Sequence, residues 1–512
     1  MKNFCSFNPV IEIIIKRLFF TGLIIICLAE SNVLARAIEM RIEISSKTAA
    51  QIAVTGKLVK SSDETSYERK NWTFLDSYAD AKNLSERITD LEFFDEKGRK
   101  VSSKKLGNGE YQTVGFAASW RFKVDLSVPQ NVLTTAHVSW LTQNHGLLMM
   151  LDLMPQLTAN AGDTVSAKVE LVMPKDWRVA SSENRTVANE FILTDAERGV
   201  FLVGNDLQER IGKLADSEFK VAMLGKWSFS VDDAVGMANT ILEEHRRTFG
   251  EMATNRVQLL LLPFPQNVAT ERWRAETRGN TVTLLSNSSP FKSRALSQLH
   301  EQLRHEIYHL WIPNALALNG DYDWFYEGFT IYQALRTGIK LKYIRFDDYL
   351  DTMSRSFDLV RYETQNASLS LIDASKTRWQ GNAGLVYAKG MTVAFLCDLA
   401  MLRESNGKRS LSDVFRELYK RHKKPNNIQD GNRAILAILN ERNELRPLVT
   451  KFIENANVIE WSDEIKISGF QDVSPRTYKT KLAIIEKPNG KQRNLLAKLG
   501  YQREYDANVI KK

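Results

Sequence analysis

Between Leu296 and Leu310 the apolar residues recur at helical spacing: Leu296, Leu299, Leu303, Ile307 and Leu310. A stripe of that period predicts a packed helix, and Pro313 marks its end. Two histidines, His305 and His309, ride on the same helix. Residues four apart lie about 40° from each other around a helix, so both imidazoles project from one face. The sequence contains only seven histidines among its 512 residues, which makes this pairing hard to obtain by chance.

The segment His305-Glu306-Ile307-Tyr308-His309 is a His-Glu-x-x-His pattern. On a helix, this pattern supplies two nitrogen ligands to one zinc ion and a glutamate placed to move a proton. It predicts a zinc hydrolase. A third ligand is required, since catalytic zinc takes three protein ligands and keeps a fourth position for water. The arrangement with Gly and His three and six residues beyond the second histidine is excluded, because Ile312 and Ala315 stand there. Glu327 is the candidate. It lies in the apolar, aromatic run Trp324–Tyr332, beyond an Asn319-Gly320-Asp321 turn that lets the chain reverse. A carboxylate in such a run is costly to bury unless it is paired or bound to metal.

His-Glu-x-x-His-Leu-Trp followed by Trp-x-x-Glu-Gly-Phe-Thr-x-Tyr resembles the glycyl-aminopeptidase family of gluzincins, distant relatives of the aminopeptidase N family. A third block, Tyr387-Ala388-Lys389-Gly390, agrees. The likeness extends more weakly over residues 40–470. It implies Zn²⁺ held by His305, His309 and Glu327, with Glu306 as the general base. It assigns to Tyr387 a hydroxyl that stabilises the tetrahedral intermediate. It also implies a peptide substrate and an aminopeptidase acting on small N-terminal residues. The family's Gly-Gly-Leu-Glu-His-like segment is replaced by Trp273-Arg274-Ala275-Glu276-Thr277. Glu276 aligns with the glutamate that holds a substrate amine, but the glycines and the histidine are gone. Two alternatives therefore stand beside the aminopeptidase: a zinc endopeptidase or processing protease on the same scaffold, and a non-catalytic zinc-binding protein.

The start of the chain reads as a signal peptide over residues 1–37. Lys16-Arg17 precede the apolar run Leu18–Ala29, and Ala35-Arg36-Ala37 offers small residues for cleavage. A periplasmic or secreted location follows, with no stable membrane insertion after cleavage. Removal of residues 1–37 takes away Lys2, Lys16, Arg17, Arg36, Glu12 and Glu30, and the net charge falls from +8 to +6. No dense basic patch with interleaved aromatics is present, so nucleic-acid binding is not indicated. Cys5 and Cys27 leave with the leader. Cys397 remains alone in an apolar run, where a small buried residue is expected.

The rest of the chain predicts a multi-domain fold. Residues 38–225 alternate apolar and polar, as in Val165–Val172, and form an all-β sandwich or saddle-like domain. His137 and His145 lie here and are expected to be structural or surface histidines. Residues 226–470 form a thermolysin-like, α+β and mostly helical catalytic domain, with a helix at Asp232–Phe249 and strands at Val257–Leu262 and Thr281–Leu285. The Thr281–Leu285 strand is the expected sheet edge along which a substrate could pair. Residues 471–512 form a short tail. Family members often end in a PDZ domain, and 42 residues after Phe470 are too few for one.

Overall fold

A computed structural model describes residues 36–44, 50–59, 69–157, 164–214, 217–268, 272–287, 289–366, 369–459, 461–474 and 479–502. The expected leader lies outside these residues except for Arg36 and Ala37, which open the first strand.

The N-terminal part is β-rich, as its alternation predicts. It holds one eight-stranded and two four-stranded sheets. Arg36–Glu43 runs parallel to Val165–Val172 and antiparallel to Gln51–Val59. Ile38, Met40 and Ile42 point inward from one strand, and Val165, Ala167, Val169 and Leu171 from its neighbour. These faces close over a core that includes Trp72, Phe93, Trp120 and Phe201.

The second part opens with a five-stranded sheet built from β1 (Gln208–Leu214), β2 (Ser217–Met223), β3 (Arg256–Pro263), β4 (Trp273–Arg278) and β5 (Thr281–Ser286), in the spatial order β1-β2-β3-β5-β4. Helix α1 (Val231–Phe249) connects the parallel pair β2 and β3. It starts at a reciprocal cap in which Ser230 and Asp233 bond each other's backbone N–H. Two expectations are corrected here. The boundary expected at residue 225 falls too late, because β1 and β2 already belong to this sheet. Phe219, Val221 and Met223 pack with Leu259 and Leu261, and alternation alone does not say which sheet a strand joins. The sheet edge is β4, not Thr281–Leu285. Every residue of β5 is buried, and a strand covered on both faces belongs inside a sheet.

The helical body follows: α2 (Lys292–Glu306), α3 (Thr330–Lys340), α4 (Phe346–Asn366), α5 (Ala383–Glu404), α6 (Leu411–His422), α7 (Gly431–Asn440) and α8 (Gly490–Leu499). Among the described residues, α5 is the one helix long and apolar enough to cross a bilayer, yet it is enclosed by the other elements. Cys397 is buried within it. The tail is part of this body. Phe470–Asp472 pairs with Leu482–Ile484, and Leu482, Leu495, Leu496 and Leu499 join the same core as α5.

Two glycines, Gly328 and Gly390, bring their segments into backbone contact. A Cβ on Gly328 would lie 2.6 Å from the Gly390 Cα and 2.7 Å from the Val386 carbonyl oxygen. A Cβ on Gly390 would lie 2.8 Å from the Gly328 Cα. Both obstacles are backbone, so an added methyl forces the two segments apart. Gly390→Ala is expected to cost about 1–3 kcal/mol by overpacking. Urea unfolding of the variant against the parent measures this, and equal midpoints would refute the close-contact account. The contact matters beyond stability, because Glu327 precedes one glycine and Tyr387 lies three residues before the other.

Candidate active site

Helix α2 delivers His305 and Glu306 in its last turn. The chain then tightens into a 3₁₀ turn over Ile307–Leu310 that carries His309. Leu299, Leu303, Ile307 and Leu310 are all buried, as the stripe predicts. Gly320, with φ +88°, turns the chain back. Glu327 then arrives on a widened π-type turn, Trp324–Phe329, that runs into α3. Such turns recur at functional sites.

Three donor atoms converge. His305 Nε2 and His309 Nε2 are 3.1 Å apart, and Glu327 Oε2 lies 3.4 Å from the first and 3.6 Å from the second. Atoms bound at 2.0–2.1 Å to one tetrahedral ion stand about 3.3–3.4 Å apart. The triangle therefore has the size of one face of a zinc coordination tetrahedron. The tautomer of His309 agrees. Its Nδ1–H donates to the Ile312 carbonyl at 2.9 Å, which leaves Nε2 with a free lone pair. His305 Nδ1 is buried with no hydrogen-bond partner among the described residues. The donor set fits zinc.

Glu306 also brings a carboxylate oxygen within 4.8 Å of both imidazoles, but it is held differently. Thr277 Oγ1, on the edge strand β4, shares its one proton between the Glu306 backbone carbonyl at 2.8 Å and Glu306 Oε2 at 2.9 Å. The other carboxylate oxygen stays available for a proton. Glu327 Oε2 lies within 3.6 Å of both nitrogens and completes the triangle, whereas Glu306 stands beside it.

Arg378 organises the opposite side. Its guanidinium reaches Asp323 Oδ1 at 2.8 Å, Glu327 Oε1 at 2.9 Å and the Tyr387 hydroxyl oxygen at 2.7 Å. Burial opposes ionisation of Glu327, but Arg378 and the two imidazoles hold its carboxyl well below the usual carboxylate range. Burial and the neighbouring Glu327 push the Tyr387 hydroxyl far above its ordinary value, so it keeps its proton. A protonated phenol is a hydrogen-bond donor.

Glu276 lies in the wall of the same cleft, on β4. Its carboxylate accepts from Tyr78 Oη at 2.8 Å and from Arg278 Nη2 at 2.7 Å, and it meets His137 Nδ1 at 2.5 Å. Against burial, Arg278 and His137 bring its carboxyl down to about 2. The charge expected to hold a substrate amine is thus already matched within the protein, and it ties β4 to the N-terminal part. Arg378, Thr277, Tyr78, His137 and Arg278 carry no sequence motif; only the fold assembles them. His137, expected to be a structural or surface histidine, forms part of the cleft wall.

The cleft has a volume of about 1470 Å³ and contains His305, Glu306, His309, Glu327, Tyr387, Arg378 and the β4 strand. Trp379, 46 % exposed, stands at its rim against His137 and over Arg378.

No family model and no curated protein sequence matches the chain. Solved structures do. An aminopeptidase N family protein from Idiomarina loihiensis superposes with a TM-score of 0.72 at 16% identity, covering 89% of this chain and 82% of that one. An M1 zinc metallopeptidase from Deinococcus radiodurans gives 0.51 at 13%, covering 81% and 92%. A mutant of the latter, bound to a Tyr-Ser-Ala substrate, gives 0.50 at 12%, covering 81% and 93%. At such identities the likeness is one of fold: a β-rich N-terminal part followed by a helical part, the layout of M1 zinc metallopeptidases.

Proposed function

We propose that this chain is an exported zinc-dependent peptidase. The observation that carries the reading is the His305–His309–Glu327 triangle with Glu306 and Tyr387 beside it in one cleft. Zinc held by these three residues would supply Lewis acidity, polarising a peptide carbonyl and acidifying water. Glu306, fixed by Thr277, accepts the proton lost by water at its free carboxylate oxygen and returns it to the leaving amine. Tyr387, held by Arg378, donates to the carbonyl oxygen as charge develops there, a contribution of about 10²–10³ in rate.

The edge strand positions the peptide. The Thr277 carbonyl accepts from Asn314 Nδ2 at 2.9 Å, on the side of β4 away from β5. Alternation along an antiparallel strand then puts the N–H and C=O of Ala275 on that same open side, where an extended substrate can pair with them. The Tyr-Ser-Ala ligand of the Deinococcus neighbour supports a short peptide as substrate. Export rests on Lys16-Arg17 and the apolar run that follows them.

The fold likeness to an aminopeptidase N family protein supports removal of single N-terminal residues. The pairing of Glu276 with Arg278 favours the second reading, cleavage that does not require a free amine. A library of peptides with free and acetylated N-termini separates the two. Single-residue losses confined to free N-termini are the aminopeptidase result, and cuts in both halves are the endopeptidase result. Zinc-loaded protein that cuts neither half overturns the peptidase reading.

A further inference from the structure

The cleft wall formed by β4 carries a cation that no carboxylate among the described residues answers. Side chains alternate along a strand, so Arg274, Glu276 and Arg278 share one face of β4. Arg278 spends its guanidinium on Glu276. Arg274 makes one hydrogen bond, from Nη1 to the backbone oxygen of Trp273 at 2.8 Å. Among the described residues, no Asp or Glu forms an ion pair with it. It lines the cleft together with Glu306 and Tyr387 and is half-buried there. Burial and the adjacent Arg272 both disfavour its charge. Among the described residues, four of its five N–H donors have no acceptor, and a guanidinium fork matches a carboxylate with two parallel hydrogen bonds.

Among the described residues, no other cleft carboxylate, Asp80 and Glu301 included, forms an ion pair with it. Glu327 is held by Arg378, and Glu276 by Arg278 and His137. Glu306 is anchored on Thr277. Arg274 precedes Thr277 by three residues, about 10 Å along the strand. A substrate laid along the same edge advances at the same rise.

We propose that Arg274 binds a carboxylate of the substrate, two or three residues from the bond that is cut. The inference rests on the peptidase reading and extends it to a substrate class, anionic peptides. The carboxylate belongs either to an Asp or Glu side chain or to the C-terminus of a short peptide.

Four peptides of one parent sequence test this, with Glu or Gln at that position and with a free or an amidated C-terminus. Zinc-loaded parent, Arg274→Gln and Arg274→Glu proteins are compared. A charge-assisted hydrogen bond is worth about 10- to 100-fold. The parent is expected to show that advantage in kcat/KM for one carboxylate source, and the source that carries it identifies the group. Arg274→Gln is expected to erase the advantage, and Arg274→Glu to reverse it in favour of the peptide that lacks that carboxylate. Equal handling of all four peptides by the parent, or a preference that survives Arg274→Gln, overturns the proposal. Calorimetric binding of the same peptides to Glu306→Gln protein separates this from failure of the peptidase reading. Carboxylate-dependent binding that Arg274→Gln removes upholds Arg274 even where nothing is cut, and binding indifferent to the carboxylate overturns it.

Discussion

Replacing Glu306 by Gln is expected to lower turnover by about 10²–10⁴ while leaving zinc content and fold unchanged. The expectation follows from where the residue sits. Glu306 is outside the triangle of His305, His309 and Glu327, so the amide removes no ligand. Gln fills the same volume, and its carbonyl oxygen can still accept the hydroxyl of Thr277, which now bonds Glu306 Oε2 at 2.9 Å. What disappears is the oxygen that takes up a proton. Steady-state rates on a cleaved peptide, alongside zinc measured by atomic absorption, check both halves of the statement. More than a tenth of parental activity would show that another group moves the proton. Loss of zinc would show that Glu306, not Glu327, completes the coordination shell.

The parts of this molecule that were legible in the sequence are those written locally. The stripe from Leu299 to Leu310 specifies a buried helix face, and His305 and His309 follow from it at fixed spacing. The helix expected over Asp232–Phe249 is observed as α1, Val231–Phe249, and the structure adds the local cap of Ser230 and Asp233 that starts it. Glu327 was readable because a lone carboxylate in Trp324–Phe329 needs a partner. Relationships that depend on tertiary contact were not readable. Whether β5 or β4 forms the sheet edge depends on what covers each strand, and the period of Thr281–Ser286 is silent on that. Glu276 offered a free carboxylate in the sequence. Its partners Tyr78 and His137 come from 198 and 139 residues away. Arg278, two residues on, was in plain view, but strand alternation had first to be assigned before the two could be placed on one face. Arg378 lay in a stretch with no motif at all, and its three contacts were invisible until α5 and the Glu327 turn were brought together by Gly328 and Gly390.

Arg378 carries the second large effect. One guanidinium serves two buried carboxylates and a phenol, and removal of one partner from a buried ion pair costs about 3–5 kcal/mol, because the charge left behind has no solvent. Arg378→Met is therefore expected to destabilise the metal-free protein by about that amount. Zinc changes the size of the effect. Glu327, which would hold the ion, is also held by Arg378 through Oε1, so bound metal and guanidinium would share one carboxylate. Metal then compensates part of the lost charge, and the deficit in stability should shrink in the zinc-loaded protein. The loss reappears as weaker metal binding, by about 10- to 100-fold, since a residue that orients a ligand is worth that much in affinity. Arg378→Lys separates charge from geometry. An ammonium restores a positive charge but lacks the planar fork that holds Asp323, Glu327 and Tyr387 together. It should recover stability more than activity, because the Tyr387 hydroxyl loses its anchor. Unfolding midpoints with and without zinc, competition for zinc against a chelator of known affinity, and kcat for each variant resolve the three effects. An Arg378→Met protein as stable as its parent without metal would mean that Asp323 and Glu327 are not held as charges by this residue, and the electrostatic frame around the triangle would have to be redrawn.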